Sequence, residues 1–221
     1  MRIVETLSFM ALLLVLTLLT AGGASAPSKT VEVDFEKDEL GHPPKGFSVA
    51  QTGGGDKPKW VIKEDADAPK GKRVLAQVDP DPTDDRYPLC VYDAVTARDV
   101  DVTVAFKAVA GEVDQAAGIV VRYKDKDNYY MARANSLEGN VRLYRIVDGK
   151  RKQFAGEKVQ VPSGKWQTLR LTAVGSRFEV MLGDARLFAA DDDTIKGPGK
   201  VGLWTKADSV THFDALTIEP L

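Results

Sequence analysis

The chain has 221 residues, 43% apolar and 28% charged, with a formal net charge of −2. Roughly 200 residues can bury one large core or two small ones, and the near-neutral balance lacks the basic footprint of a general nucleic-acid binder. A single cysteine, Cys90, excludes an internal disulfide framework and cysteine-based zinc sites, and His42 and His212 are too few for a histidine-rich metal centre.

In chain order, Arg2 leads into an apolar run from Phe9 to Leu19, and small residues follow from Ala21 to Ala26. A charged start, an apolar stretch and an Ala-x-Ala end have the pattern of a secretory signal. The run is short for a membrane span. Residues 1–26 are therefore expected to be a signal peptide removed on export. Pro27 disfavours cleavage after Ala26, so cleavage after Gly23 or Ala24 is also compatible. No cysteine near the end of the run supports lipid attachment. The mature chain, 27–221, is expected to be one domain, secreted or periplasmic, with no membrane span left.

Period-two alternation then takes over. Val31, Val33 and Phe35 alternate with Glu32, Asp34 and Glu36. Gly41-His-Pro-Pro44 reads as a turn. Gly53–Gly55 reads as a loop, since it opens no helix and lacks the Lys-Ser/Thr of a phosphate loop. Strands are predicted at Trp60–Lys63, Arg73–Val78 and Leu89–Val95, with the acidic run Asp79–Asp85 as a solvated loop. Cys90, inside an apolar strand, is an expected buried thiol. Val100, Val102, Val104 and Phe106 alternate with polar residues. Further strands are predicted at Gly118–Tyr123, Tyr129–Asn135 and Val141–Val147, and Asp148-Gly149 is a strong hairpin signal. Leu169 and Leu171, then Phe178, Val180 and Leu182, continue the alternation. A short turn or helix is allowed around Asp192–Ile195, beside the acidic Asp191–Asp193. Val201–Lys206 and Phe213–Ile218 close the chain. About a dozen short strands, with no repeat and no break in composition, point to an all-β, two-sheet antiparallel sandwich.

The blocks from Gln115 to Asn135, Glu138 to Tyr144, Gly164-Lys-Trp166, Gly199 to Lys206 and Phe213-Asp214 together resemble the concanavalin A-like lectin/glucanase superfamily. Secreted laminin G-like members and the 3-keto-disaccharide hydrolase-type domain are the nearest likenesses. The resemblance covers residues 31–220 and implies a jelly roll whose concave sheet holds sugars. It fixes no activity, because this scaffold carries lectins, hydrolases and inert modules.

Alternation states what that concave face would carry. If Val141 and Leu143 point into the core, Arg142 and Tyr144 point out. If Val201 and Leu203 point in, Trp204 and Lys206 point out. If Tyr130, Ala132 and Ala134 point in, Tyr129, Met131, Arg133 and Asn135 point out. Arg122 lies opposite Val121 and Tyr123 on the same logic. Read as a binding face, this gives a carbohydrate-binding set of Arg122, Tyr129, Arg133, Asn135, Arg142, Tyr144, Trp204 and Lys206; read as a plain outer face, it is a solvated surface whose arginine stems cover the aromatics. Aromatic planes stack on sugar C–H faces, and Arg and Asn donate to hydroxyls or carboxylates. The four cations would suit an acidic oligo- or polysaccharide.

Glu32-Val-Asp-Phe-Glu36 has the E-x-D-x-E spelling of glycoside hydrolase family 16, on the same fold, where the two glutamates are nucleophile and acid/base. The resemblance puts this segment on a peripheral strand beside the last one, so it reads as an exposed strand face and no catalytic residues are assigned. Nucleophilic catalysis would have to use His42 or His212, and neither has a nucleophile-elbow context. No cofactor is expected. A structural calcium near Asp34 and Asp214, or at the acidic loops, is the one ion the resemblance allows. The reading is a secreted, non-catalytic carbohydrate-binding module. A glycoside-hydrolase-like enzyme acting on disaccharides or modified sugars, and a laminin G-like adhesion module, are the alternatives.

Overall fold

The computed structural model describes residues 29–221, so the segment assigned to a signal peptide lies outside the described residues. Fifteen strands follow in order: β1 (Val31–Val33), β2 (Phe47–Thr52), β3 (Trp60–Glu64), β4 (Arg73–Gln77), β5 (Tyr87–Ala97), β6 (Val100–Ala110), β7 (Ala116–Asp125), β8 (Asn128–Asn135), β9 (Asn140–Val147), β10 (Lys150–Lys158), β11 (Gln167–Val174), β12 (Arg177–Leu182), β13 (Ala185–Asp191), β14 (Gly199–Trp204) and β15 (Val210–Pro220). Eight form one sheet, in the order β13-β12-β11-β6-β15-β4-β3 with β1 also on β15, and seven form the other, in the order β10-β9-β8-β7-β14-β5-β2. Every strand pairing is antiparallel.

The alternation dictates the packing. Val100, Val102, Val104 and Phe106 of β6, with Leu169, Leu171 and Ala173 of β11, meet Tyr130, Ala132 and Ala134 of β8 and Val141 and Leu143 of β9 in one buried core. Each fully buried aliphatic or aromatic side chain there stabilises the fold by roughly 1.5–3 kcal/mol. Cys90 lies in this core, and burial pushes its thiol far above the ordinary range, so it is inert at neutral pH. The first strand pairs with the last, Val31 opposite Ile218, as the resemblance implies.

β2 and β13 have no counterpart among the predicted strands, and β10 is foreseen only as the second arm of the Asp148-Gly149 hairpin; all three lie at sheet edges, β2 and β10 in one sheet and β13 in the other. An edge strand covers less core, so its sequence is freer to lose the alternation. In β10, Lys150, Lys152, Gln153, Glu157 and Lys158 are all exposed. The segment Asp192–Ile195 bends without forming a helix. Among the described residues no helix is long and apolar enough to cross a membrane.

Candidate functional site: the outer face of the seven-stranded sheet

The face of this sheet that points away from the core carries a second buried cluster of Tyr87, Leu89, Val91, Ala116, Val120, Tyr129, Met131, Tyr144, Ile146 and Trp204. The hairpin after β9 delivers one more residue to it. Asp148 and Gly149 both have positive φ, 49° and 72°, which suits a two-residue turn and favours glycine at the second place. That turn sets Arg151 opposite Ile146, on the cluster's side. The Arg151 guanidinium lies 4.8 Å from the Tyr87 ring and 4.9 Å from the Tyr144 ring. Tyr87 in turn stacks on Trp204, with centroids 5.5 Å apart at 21°. β10 and β5 are five strand steps apart, about 24 Å in a flat sheet. One arginine side chain can touch Tyr87 across that span only if the sheet curves toward this face, which is therefore the concave one.

Seven of the eight sequence-predicted site residues are brought together here. Tyr129, Arg133 and Asn135 come from β8, Arg142 and Tyr144 from β9, Trp204 from the end of β14 and Lys206 from just beyond it. Arg133 stacks over Tyr144 at 5.5 Å. Its Nη2 donates to Glu138 Oε2 at 2.8 Å and to Asn140 Oδ1 at 2.7 Å. Arg142 reaches the same Glu138 Oε2 at 3.3 Å. Asn135 donates to Asp114 Oδ1 at 2.5 Å, and Lys206 pairs with Asp114 at 3.0 Å and Asp84 at 2.5 Å.

Two expectations need correction. Arg122 is not on this face. Its φ is 51°, and the β7–β8 pairing shifts register after Val121, so a bulge turns the side chain the other way. Its guanidinium packs 5.3 Å from Phe178 and 5.9 Å from Tyr130, both core residues, and donates to the carbonyls of Arg98 at 2.9 Å and Gly175 at 2.5 Å. The bulge needs Gly199 beside it, because a Cβ there would lie 2.4 Å from the Arg122 carbonyl carbon. Tyr123 takes the vacated place, 6.0 Å from Tyr129. The second correction concerns exposure. Tyr129, Arg133, Asn135, Tyr144, Trp204 and Lys206 are all buried, and only Arg142 is partly open, its side chain 36% exposed. Tyr129 is held by Thr52, 2.9 Å from its hydroxyl, and one face of Trp204 is taken by Tyr87.

The polar end of the face has a defined charge state. Burial alone would raise the Glu138 carboxyl, but hydrogen bonds from Arg133 and Asn140 and the charges of Arg133 and Arg142 pull it down to about 2. Its folded-state value therefore lies below the ordinary 4.5. The carboxylate stabilises the fold fully above about pH 4.5, and that contribution is lost as pH falls toward 2. Thermal melts from pH 5 to pH 2 should fall more steeply for the wild type than for Glu138→Gln; parallel curves would show that the pair contributes nothing. Burial raises the Asp114 carboxyl, against the opposing pull of Lys206 and Arg133.

The E-x-D-x-E carboxylates do not line one strand: only Glu32 lies on β1, which pairs with β15 in the other sheet, while Asp34 and Glu36 follow it and Phe35 between them has φ 58°. Glu32 pairs with Lys70 at 3.0 Å, and Glu36 accepts the Lys72 and Arg73 amides at 2.8 and 2.6 Å. Asp34 accepts the Glu36 amide, and Asp214 accepts those of Lys70 and Ala215. Those oxygens are met by backbone amides, and among the described residues no three His, Cys, Asp or Glu side chains group to hold a metal ion. His212 is buried against Asp65, with Nδ1 2.7 Å from its carboxylate, while His42 is exposed beside Glu39.

Sequence reasoning missed Tyr87 and Arg151. Pro88 hid the start of β5, since proline gives no ladder donor. Arg151 was accessible by counting register outward from Asp148-Gly149.

No family model matches this chain, and no curated protein sequence matches it. Solved structures do. A carbohydrate-binding module, CBM66, from Bacillus subtilis superposes with a TM-score of 0.59 at 22% identity, covering 72% of this chain and 94% of that one. The Bacillus licheniformis beta-glucanase gives 0.56 at 9% identity, covering 88% and 99%. A cellulose-induced protein, Cip1, gives 0.61 at 12% identity, covering 86% and 97%. The chain thus shares the two-sheet antiparallel jelly-roll fold of these structures. Its structural neighbours include both a sugar-binding module and glycoside hydrolases.

Proposed function

We propose that the mature chain is an exported carbohydrate-binding module that holds sugar on the concave face of the seven-stranded sheet without cleaving it. The observation that carries this reading is the Tyr87–Arg151–Tyr144 group, rimmed by Arg142, Glu138 and Asn140. The rings, their faces taken by Arg151, Arg133 and Trp204, form a rigid floor, and the fixed donors and acceptors of the rim are what sugar hydroxyls need. The contact set is narrower than the sequence implied. Tyr144 and Arg142 remain in it, Glu138 joins them, and Tyr129, Arg133, Asn135, Lys206 and Trp204 support it from below. The carboxylates of this face serve as ion-pair partners, Glu138 to Arg133 and Arg142 and Asp114 to Lys206. That commitment favours binding over hydrolysis.

A glycan array probed with residues 27–221 should give saturable binding to a restricted set of oligosaccharides. Tyr144→Ala, with an unchanged circular-dichroism spectrum, should weaken that binding at least tenfold. Reducing sugar should not accumulate from the bound glycans. Release that is lost in Glu138→Gln would make the protein a hydrolase instead. Wild-type protein that binds nothing on the array would end the sugar-binding reading.

A further inference from the structure

Resting on the sugar-binding reading above, we infer that Arg151 is an anion subsite and that the glycan held on this face bears an anionic group, a carboxylate or a sulfate ester. The other cations on the face are already answered. Arg133 and Arg142 share Glu138, and Lys206 holds Asp114 and Asp84. Arg151 has no hydrogen-bond or ion-pair partner among the described residues, and its Nη1 is buried without an acceptor. Asp84 is close enough to feel its charge, but is committed to Lys206.

A buried guanidinium nitrogen without an acceptor is costly, and such an atom in a folded protein calls for a partner the chain itself does not supply. Two further facts give the partner's character. The Arg133 Nε, stacked on the same Tyr144 ring, is a second buried donor without an acceptor. These groups, and the Trp204 indole N–H in the same cluster, are all donors, so the missing partner is rich in acceptor oxygens. Arg151 is also set over two rings, its guanidinium 4.8 Å from Tyr87 and 4.9 Å from Tyr144, and a guanidinium's planar fork matches the geometry of an oxyanion. The tyrosine faces favour the cation but accept no hydrogen bond from it in the guanidinium plane, so they do not answer the buried Nη1.

The test is the same array, arranged as neutral oligosaccharides, uronate-containing ones with their carboxyl-reduced counterparts, and sulfated ones. Three proteins are compared: wild type, Arg151→Gln and, as a charge control on the adjacent exposed position, Lys152→Gln. Binding confined to uronate or sulfated glycans, reduced at least tenfold by Arg151→Gln and by carboxyl reduction but left unchanged by Lys152→Gln, supports the inference. The uronate and sulfate arms decide which oxyanion is held. Neutral glycans bound equally by wild type and Arg151→Gln would overturn the anion subsite and leave sugar binding standing. No binding on any arm would overturn both. Equal losses in Arg151→Gln and Lys152→Gln would reduce the effect to net charge and also overturn the subsite.

Discussion

Arg122→Ala should lower unfolding free energy by about 3–5 kcal/mol while leaving glycan affinity of the folded protein unchanged. The side chain is 2% exposed and 3.6 Å from Asp99. Truncation strips donors from the carbonyls of Arg98 and Gly175 and takes a planar cation off Phe178 and Tyr130. Unmet buried acceptors cost about 1–3 kcal/mol each, and the cavity adds to that. Arg122→Met restores much of the volume and none of the donors, so it should recover only part of the loss. Urea unfolding of the three proteins measures this, and the glycan array gives the second readout. Selective loss of binding at unchanged stability would return Arg122 to the ligand face.

The same residue marks where sequence reading stops. Period-two alternation gave the correct face for Tyr129, Arg133, Asn135, Arg142, Tyr144 and Trp204, because their core-side neighbours Tyr130, Ala132, Ala134, Val141, Leu143 and Leu203 left no choice. A bulge breaks that logic. The backbone at Arg122 adopts positive φ because Gly199 lets it come close, and those two positions are far apart in sequence. Burial on the concave side was illegible for a different reason. Alternation says which way a side chain points, not what else arrives there. Tyr87 and Arg151 reach the face from distant strands, and it is curvature, absent from any local pattern, that brings them together. The edge strands β2 and β13, and all of β10 beyond its hairpin turn, escaped because they cover little core. The E-x-D-x-E spelling was correctly placed at the periphery by its position in the chain, although the turn at Phe35 was not foreseen.

Trp204 separates a binding platform from a second core. As an exposed sugar platform, its loss would weaken binding and spare stability. Its place argues otherwise: it is fully buried, stacked on Tyr87, and set against Gly118, where an added Cβ would come within 3.3 Å of the indole. The indole N–H faces the Tyr129 hydroxyl without meeting it in hydrogen-bond geometry, so the residue is there for its ring. Trp204→Ala should therefore cost about 3–5 kcal/mol in urea unfolding, the usual cost of a deleted core aromatic. Trp204→Phe keeps a ring beneath Tyr87 and should cost less. Binding should follow the same order, because Tyr87 loses its backing and Arg151 one wall of its slot. Tyr144→Ala gives the contrast, since that ring lies directly against Arg151 and its binding loss should exceed what its stability loss explains. A Trp204→Ala protein as stable as the wild type would mean that Trp204 packs nothing, and the buried cluster would have to be read as an open platform after all.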